Sequence, residues 1–458
     1  MLIPNSLEAR DVAFHLHGYT DALKHLAVGP LVIESGDGVY VTDSAGKRYI
    51  EAMAGLWSVA VGFSETRLVD AAAHQMARLP FYHTFSHKSH GPLIMLAEKL
   101  VELVPGKMSK VFFTNSGSEA NDTALKLIWY RANALGQPQR KKVIVRDRAY
   151  HGVTIASASM TGLVNNHRSF DLPLTGIGTL RARCPHLWRE GAPGETEDEF
   201  STRLAAELED LILNEGPETI AAFFGEPVQG AGGVIVPPEG YWRKVQAVLN
   251  KYDILLVADE VITGFGRTGA LFGCETYDIR PDIVVVSKAL SSSYLPISAM
   301  LLNEKVFAPI AEESGRIGVL GHGFTAGGHP VAAAVALENI RIIEERNLVD
   351  NAAKMGERLR SGLYRLAEHP LVGEVRGVGL IAAVELVTDK DTKSNWGASG
   401  RLGGAVNALL QEEGIIARNM GDAIAFCPPL IINEDEVDLV LQAFETALHR
   451  ALELTQKP

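Results

Sequence analysis

A chain of 458 residues, 47% of them hydrophobic and 21% charged, is long enough for a sizeable core and has the ordinary balance of a soluble globular protein. Its formal net charge of −12 argues against nucleic-acid and anionic-membrane partners, which require a basic surface. Three scattered cysteines, Cys184, Cys274 and Cys427, form neither a disulfide framework nor a metal pair and point to a reducing cytoplasm. No apolar run reaches the roughly 20 residues of a membrane span, and the N-terminus lacks the basic-then-apolar order of a signal peptide.

Residues 1–30 read as a polar, irregular arm. Val39 and Val41 then alternate with polar neighbours, Tyr49 and Ile50 follow, and the turn clusters Gly36-Asp37-Gly38 and Asp43-Ser44-Ala45-Gly46 separate them, a pattern of small antiparallel strands. Helical periodicity covers Thr66–Leu79 and Pro92–Leu103. From about residue 108 strands and helices alternate. The predicted strands are Lys110–Thr114, Lys142–Arg146, Ile220–Gly225, Ile254–Ala258 and Ile283–Val286, spaced by helices over Glu119–Leu135, Asp198–Leu213 and Tyr241–Lys251. Such spacing implies crossover connections, a parallel sheet and helices on both faces. Past residue 330 two long helices (Pro330–Asn347 and Asn351–Glu368), short strands (Gly379–Leu386, Ile415–Arg418, Ala423–Cys427), a loop over Asp391–Gly404 and a closing helix Glu434–Leu454 make an α+β pattern. The expected fold is therefore α/β. A large domain over 66–328 has a mostly parallel sheet flanked by helices, and a smaller α+β domain is built from both chain ends, 1–65 and 329–458, with a cleft at the junction.

The carboxyl ends of the five central strands carry the chemistry, because open α/β sheets bind ligands there. The first runs into Thr114-Asn-Ser-Gly-Ser118-Glu-Ala-Asn-Asp122 at a helix start, where free N–H groups hold an anion; Ser118 or Asn115 as a simple N-cap is the competing reading. The second leads to Arg148-Ala-Tyr150-His151, an aromatic plate for a planar ligand. The third gives Glu226 and Gln229 before a glycine-rich turn. The fourth gives Asp259, a carboxylate straight after an apolar run, which needs a partner such as a protonated ring nitrogen. The fifth ends on Ser287-Lys288, and a partly desolvated lysine is a Schiff-base nucleophile. Anion cradle, aromatic plate, carboxylate and lysine on one sheet edge are the requirements of pyridoxal 5′-phosphate (PLP).

On these residues the chain resembles the class III aminotransferases, fold-type I PLP enzymes, and within them the omega-transaminase or amine:pyruvate branch. The resemblance runs from Ala54-Gly-Leu-Trp57 to Cys427-Pro-Pro-Leu430 and is most specific over Leu256–Gly269 and Lys288. It implies that Lys288 is the Schiff-base lysine and proton shuttle, and that Asp259 pairs with the pyridinium nitrogen. Tyr150 and Val261 would cover the two ring faces, and Gly117 and Ser118 would hold the phosphate. Gln229 would lie near the ring hydroxyl. Thr325 would reach the phosphate from a neighbouring subunit, which makes a homodimer, or a dimer of dimers, part of the site. Trp57, Phe85, Tyr150, Ala231 and Arg418 would line the substrate pocket, with Arg418 pairing an acceptor's carboxylate. Glu226 joins the cofactor site either as Arg418's resting partner or as an acid satisfied by backbone. The implied reaction is ping-pong transfer of an amino group from a primary amine or omega-amino acid to pyruvate or another 2-oxo acid. An aminomutase, a racemase, a decarboxylating aminotransferase or a non-catalytic phosphate-binding α/β protein are the alternatives.

The chain departs from the family pattern at Ala289, at Tyr294-Leu-Pro296, at Ala326 and at Ser86, where many members carry a second aromatic residue; the loss of bulk there widens the expected pocket. His83, His87 and His90 have helical spacing, but Pro80 and Gly91-Pro92 interrupt a helix and no carboxylate accompanies them. They read as entrance or dimer-contact residues, and no metal is assigned.

Overall fold

The computed structural model describes residues 3–456. Its central sheet has seven strands in the order Met108–Thr114, Ser298–Asn303, Ile283–Val286, Leu255–Asp259, Ile220–Gly225, Lys142–Arg146 and Thr179–Ala182. Ser298–Asn303 runs antiparallel to both its neighbours, and every other pairing is parallel. The inner strands are buried along their whole length, which is why they appear in the sequence as unbroken apolar runs.

Alternate residues of those strands serve two cores. Ile144, Phe223, Leu256 and Val284 pack on one face with Phe200, Leu204 and Leu208 of helix Glu197–Glu215 and Trp242 and Val245 of helix Tyr241–Lys251. Val143, Ala222, Val257 and Val285 pack on the other with Ala120, Ala124, Leu127 and Ile128 of helix Gly117–Ala134. The period-two alternation of a strand thus places helices on both faces. Helix Glu197–Glu215 begins at a capping box in which Thr196 and Glu199 satisfy each other's N–H groups.

Both chain ends meet in a second sheet. Ile33–Asp37, Tyr40–Asp43 and Arg48–Glu51 are antiparallel, and Ile415–Ile416 adds in parallel to Arg48–Glu51. A third, antiparallel sheet has the order Val372–Val378, Ile381–Leu386, Ala423–Phe426, Arg418–Met420. The single strand expected over Ile415–Arg418 is therefore two, broken at Ala417, and the break hands Arg418 to a different sheet. Helix Pro330–Glu345, on the C-terminal side of the expected 328/329 boundary, packs against Thr66–Arg78 and Gly91–Leu103.

Other differences from the sequence reading have local causes. The arm contains two helices, Leu7–Phe14 and Ala22–Val28, started by the side chains of Ser6 and Asp21, which accept N–H groups of the first turns. Strands Thr179–Ala182 and Ser298–Asn303 and helix Glu304–Ile317 were not foreseen, and helix Arg401–Glu412 begins inside the expected loop.

Two glycines give a stability test. Gly379 adopts φ +52° in the turn between Val372–Val378 and Ile381–Leu386, and a Cβ there would lie 2.1 Å from the Thr268 carbonyl carbon. Gly404 lies exposed in helix Arg401–Glu412 with nothing within 4 Å of a Cβ. Gly379→Ala is expected to destabilise by about 3 kcal/mol or more, and Gly404→Ala to stabilise by about 0.5–1 kcal/mol, measured as opposite shifts in melting temperature.

Candidate active site

Asp259 ends its strand only 3% exposed. A carboxylate buried there needs donors, and three converge on it. Asn121 Nδ2 donates to Oδ2 at 2.9 Å, His151 Nδ1 donates to the same oxygen at 2.8 Å, and the Val261 N–H reaches Oδ1 at 3.2 Å. Asn121 also donates to the His151 carbonyl at 2.8 Å, and the His151 N–H to Thr161 Oγ1 at 3.0 Å, so the three side chains form one braced unit.

Lys288 follows the Ile283–Val286 strand at φ +46°, the first residue of a short 3-10 turn. A lysine adopts this left-handed conformation at a cost of about 1–2 kcal/mol, so the surrounding structure must enforce it. Burial pushes its ammonium down to about 8, against the opposing pull of Asp259, Glu226 and Cys427. Among the described residues Nζ has no hydrogen-bond partner.

The anion cradle is built as expected but capped differently. Ser116, rather than Asn115 or Ser118, is the N-cap of helix Gly117–Ala134 and accepts the Glu119 N–H at 3.2 Å. The Glu119 carboxylate turns back to accept the Asn115 N–H at 2.7 Å. The N–H groups of Gly117 and Ser118 are left without a protein partner among the described residues, while Ser118 Oγ accepts the Val153 N–H at 3.1 Å. A Cβ on Gly117 would lie 3.1 Å from Val261 and 3.7 Å from Ser287. The ends of three strands, carrying Gly117, Val261 and Lys288, therefore touch.

Tyr150 is half-buried, its N–H donating to Glu226 Oε1 at 3.0 Å and its phenol pushed above its ordinary pKa by burial. Tyr19 and Arg418 lie beside that phenol; the guanidinium, itself lowered by burial, is half-buried at the start of its strand. Ala231 is half-buried in a tight turn in which the Gly233 N–H donates to the Gly230 carbonyl at 3.0 Å and Arg376 pins the Gly233 carbonyl at 2.9 Å. Trp57, 2% exposed at φ +65°, packs with Ile262, Ala425 and Cys427.

The two readings of Glu226 separate, and the expected role of Gln229 changes. Glu226 does not pair with Arg418: its oxygens accept the N–H groups of Tyr150 and Gly230, at 3.0 and 2.9 Å, and burial raises its pKa. It is a structural acid satisfied by backbone. Gln229 is fully buried, its amide donating to the Asp147 carbonyl at 2.9 Å and accepting from Cys184. That side chain holds the Arg146–Tyr150 connection and is not free for a ring hydroxyl.

Phe85 and Thr325 lie apart from this cluster. Phe85 packs under Gly323, where a Cβ would be 2.6 Å from its ring, and lines an open cavity of about 1410 Å³ with Ser86, His322 and Phe324; Thr325, in the same segment, is exposed. The nearby histidines take separate tasks. His90 caps helix Gly91–Leu103 and bonds the Gly328 carbonyl at 2.9 Å, while His83 stacks on Tyr82 with centroids 4.9 Å apart.

Sequence reasoning missed Tyr19, Asn121 and His151. Asn121 lies one turn after Gly117, on the same helix face, and His151 directly follows Tyr150, so spacing alone could have raised both. Tyr19 has no local signal.

Free N–H groups over a glycine, an unpartnered lysine and a braced carboxylate fit pyridoxal phosphate, and a sheet that delivers them from successive strand ends defines a PLP enzyme of the α/β type. Comparison with known proteins agrees. The family model described as aminotransferase class-III matches residues 23–448. A probable gamma-aminobutyrate transaminase 3 of Oryza sativa subsp. indica is 50% identical over 420 residues, covering 92% of this chain and 82% of its own. A vanillin aminotransferase of Capsicum annuum is 49% identical over 420 residues, 92% and 91% of the two chains. The omega transaminase of Pseudomonas jessenii, solved in complex with PMP, shares 60% identity with a TM-score of 0.97 over 98% of this chain and 99% of its own. The chain belongs to the class III aminotransferases and is a PLP-dependent enzyme of amino transfer.

The Lys288 pKa sets a pH dependence. The neutral amine is the nucleophile, and its fraction rises as pH passes through about 8. Reconstitution of the apoenzyme with PLP is expected to accelerate as pH is raised from 7 toward 9 and to level off above, followed by stopped-flow absorbance. A rate flat across this range would contradict the assignment.

Proposed function

We propose that the enzyme takes amino groups from primary amines or omega-amino acids and delivers them to pyruvate or another 2-oxo acid by a ping-pong mechanism, as a homodimer whose two sites are completed across the interface. Arg418 carries this reading. It is half-buried beside Tyr150 and Tyr19 and, among the described residues, has no carboxylate partner. A desolvated guanidinium of this kind suits an acceptor's carboxylate, which it can grip with two parallel hydrogen bonds. The relatives are named for gamma-aminobutyrate, a carboxylated amine, and for vanillin, an aromatic aldehyde, which supports a pocket that serves both carboxylated and aromatic substrates.

PLP would supply the electron sink that makes the hydrogen on the amine-bearing carbon acidic. The rest falls to this chain. Gly117 and Ser118 N–H groups would hold the phosphate, with Tyr150 and Val261 beside the ring. Asp259, held by Asn121 and His151, would keep a proton on the ring nitrogen. Lys288, whose amine pKa is brought to about 8 and which is increasingly neutral above that pH, would remove the acidified proton and return it across the nitrogen, two atoms away. Arg418 orients the acceptor by its carboxylate and leaves an apolar donor to Trp57 and Tyr150. Phe85 and Thr325 sit on a face of their own in the single chain and serve the partner's site in the dimer. The three cysteines are buried and unpaired, in keeping with the cytoplasmic placement expected from the sequence, which forms part of the same proposal.

Loaded enzyme given a panel of omega-amino acids, diamines and aryl-alkyl amines with pyruvate is expected to form alanine. Lys288→Ala is expected to form none while still binding PLP, and Asp259→Ala to lose about 10²-fold or more in turnover. Wild-type enzyme that forms alanine from none of these donors sinks the proposal. Arg418→Ala is expected to raise the KM for pyruvate by about 10–100-fold, the worth of a charge-assisted pair, while turnover of an apolar amine donor falls only a few-fold. An unchanged pyruvate KM removes Arg418 from the acceptor site.

A further inference from the structure

The N-terminal arm gathers ligands that no step of amino transfer uses. Helix Leu7–Phe14 ends at His15, the chain turns through Gly18-Tyr19-Thr20, and helix Ala22–Val28 starts at Asp21. This hairpin folds three imidazoles onto one carboxylate. His15 Nδ1 lies 3.0 Å from Asp11 Oδ1, and His17 Nε2 and His25 Nε2 lie 2.7 and 3.1 Å from Asp11 Oδ2. The rings are crowded together, His15 to His17 with centroids 4.2 Å apart and His17 to His25 at 4.3 Å. The ligand atoms of Asp11, His15 and His17 all fall within 4.8 Å of one another.

Those separations suit an ion. A tetrahedral centre with bonds of about 2.0–2.1 Å holds its donors about 3.3 Å apart, so the observed carboxylate–imidazole contacts of 3.0, 2.7 and 3.1 Å would open slightly to admit an ion. Imidazole nitrogens gathered with a carboxylate are the donor types of zinc and its borderline neighbours. A cavity of about 280 Å³ lined by His15, His17, Thr20 and His25 opens beside the group and gives an entry path.

We propose that Asp11, His15 and His17, with His25 bonded to the same carboxylate, form a binding site for a divalent cation of the zinc class. The site closes the two ends of the hairpin onto each other, with Tyr19 at its tip. Tyr19 accepts a hydrogen bond from Asn166 Nδ2 at 2.5 Å and lies beside Tyr150 and Arg418. An ion in the arm therefore holds in place the segment that covers the candidate active site.

Calorimetric titration of Zn²⁺ into the untagged, PLP-loaded enzyme tests the site. About one high-affinity ion per chain is expected. Asp11→Ala/His17→Ala, and separately the isosteric Asp11→Asn, are expected to weaken binding by at least about tenfold, while His83→Ala/His87→Ala leaves it unchanged. With the wild-type enzyme, Zn²⁺ is also expected to slow amide exchange over residues 15–25. Absence of a high-affinity ion, or equal affinity in the two Asp11 variants and the wild type, overturns the proposal.

Discussion

The site depends on keeping a carboxylate and an amine buried side by side. Burial alone drives Lys288 toward the neutral form; Asp259, Glu226 and Cys427 pull it back, and the balance rests at about 8. Asp259 in turn is held in place by a hydrogen bond from each of Asn121 and His151. Breaking such a buried group by removing one partner leaves an unpaired charge at high cost. The brace joins a helix, the second strand's exit loop and the fourth strand, so its integrity requires the strand order of the sheet.

Close packing at the strand ends follows from the same demand. Gly117 must sit against Val261 and Ser287 for the helix N-terminus to face the space beside Lys288. Glu226, buried and satisfied by the N–H groups of Tyr150 and Gly230, locks the aromatic plate to the third strand. Gln229 does the same from the other side through the Asp147 carbonyl. Glu226, in the backbone-satisfied role that was one of its two readings, and Gln229, expected beside a ring hydroxyl, are together the scaffold that fixes Tyr150.

The legible parts of the fold were those where burial leaves a local trace. Ile220–Gly225 and Ile283–Val286 are covered on both faces and are apolar throughout, so their bounds were readable to the residue. Thr179–Ala182, only half-buried at the sheet edge, leaves no such run. Ser298–Asn303 is apolar enough, but it follows Lys288 so closely that it merged with the loop after it. Lys288 and Asp259 stood out as charges placed directly after buried strands. Asn121 and His151 act on Asp259 from 138 and 108 residues away, and Tyr19 reaches Tyr150 from the arm; contacts of that length leave no periodicity to read. The arm's helices, with no buried residues, hid for the same reason.

A half-reaction without acceptor tests amino transfer at Lys288 most directly. Enzyme loaded with PLP, mixed with excess amine donor and no 2-oxo acid, should release about one equivalent of carbonyl product per site and stop, since each cofactor can accept one amino group. Its long-wavelength absorbance should disappear and return when pyruvate is added. Continuous product formation without an acceptor, or none at all until pyruvate and amine are both present, would contradict a ping-pong transfer centred on Lys288 and Asp259.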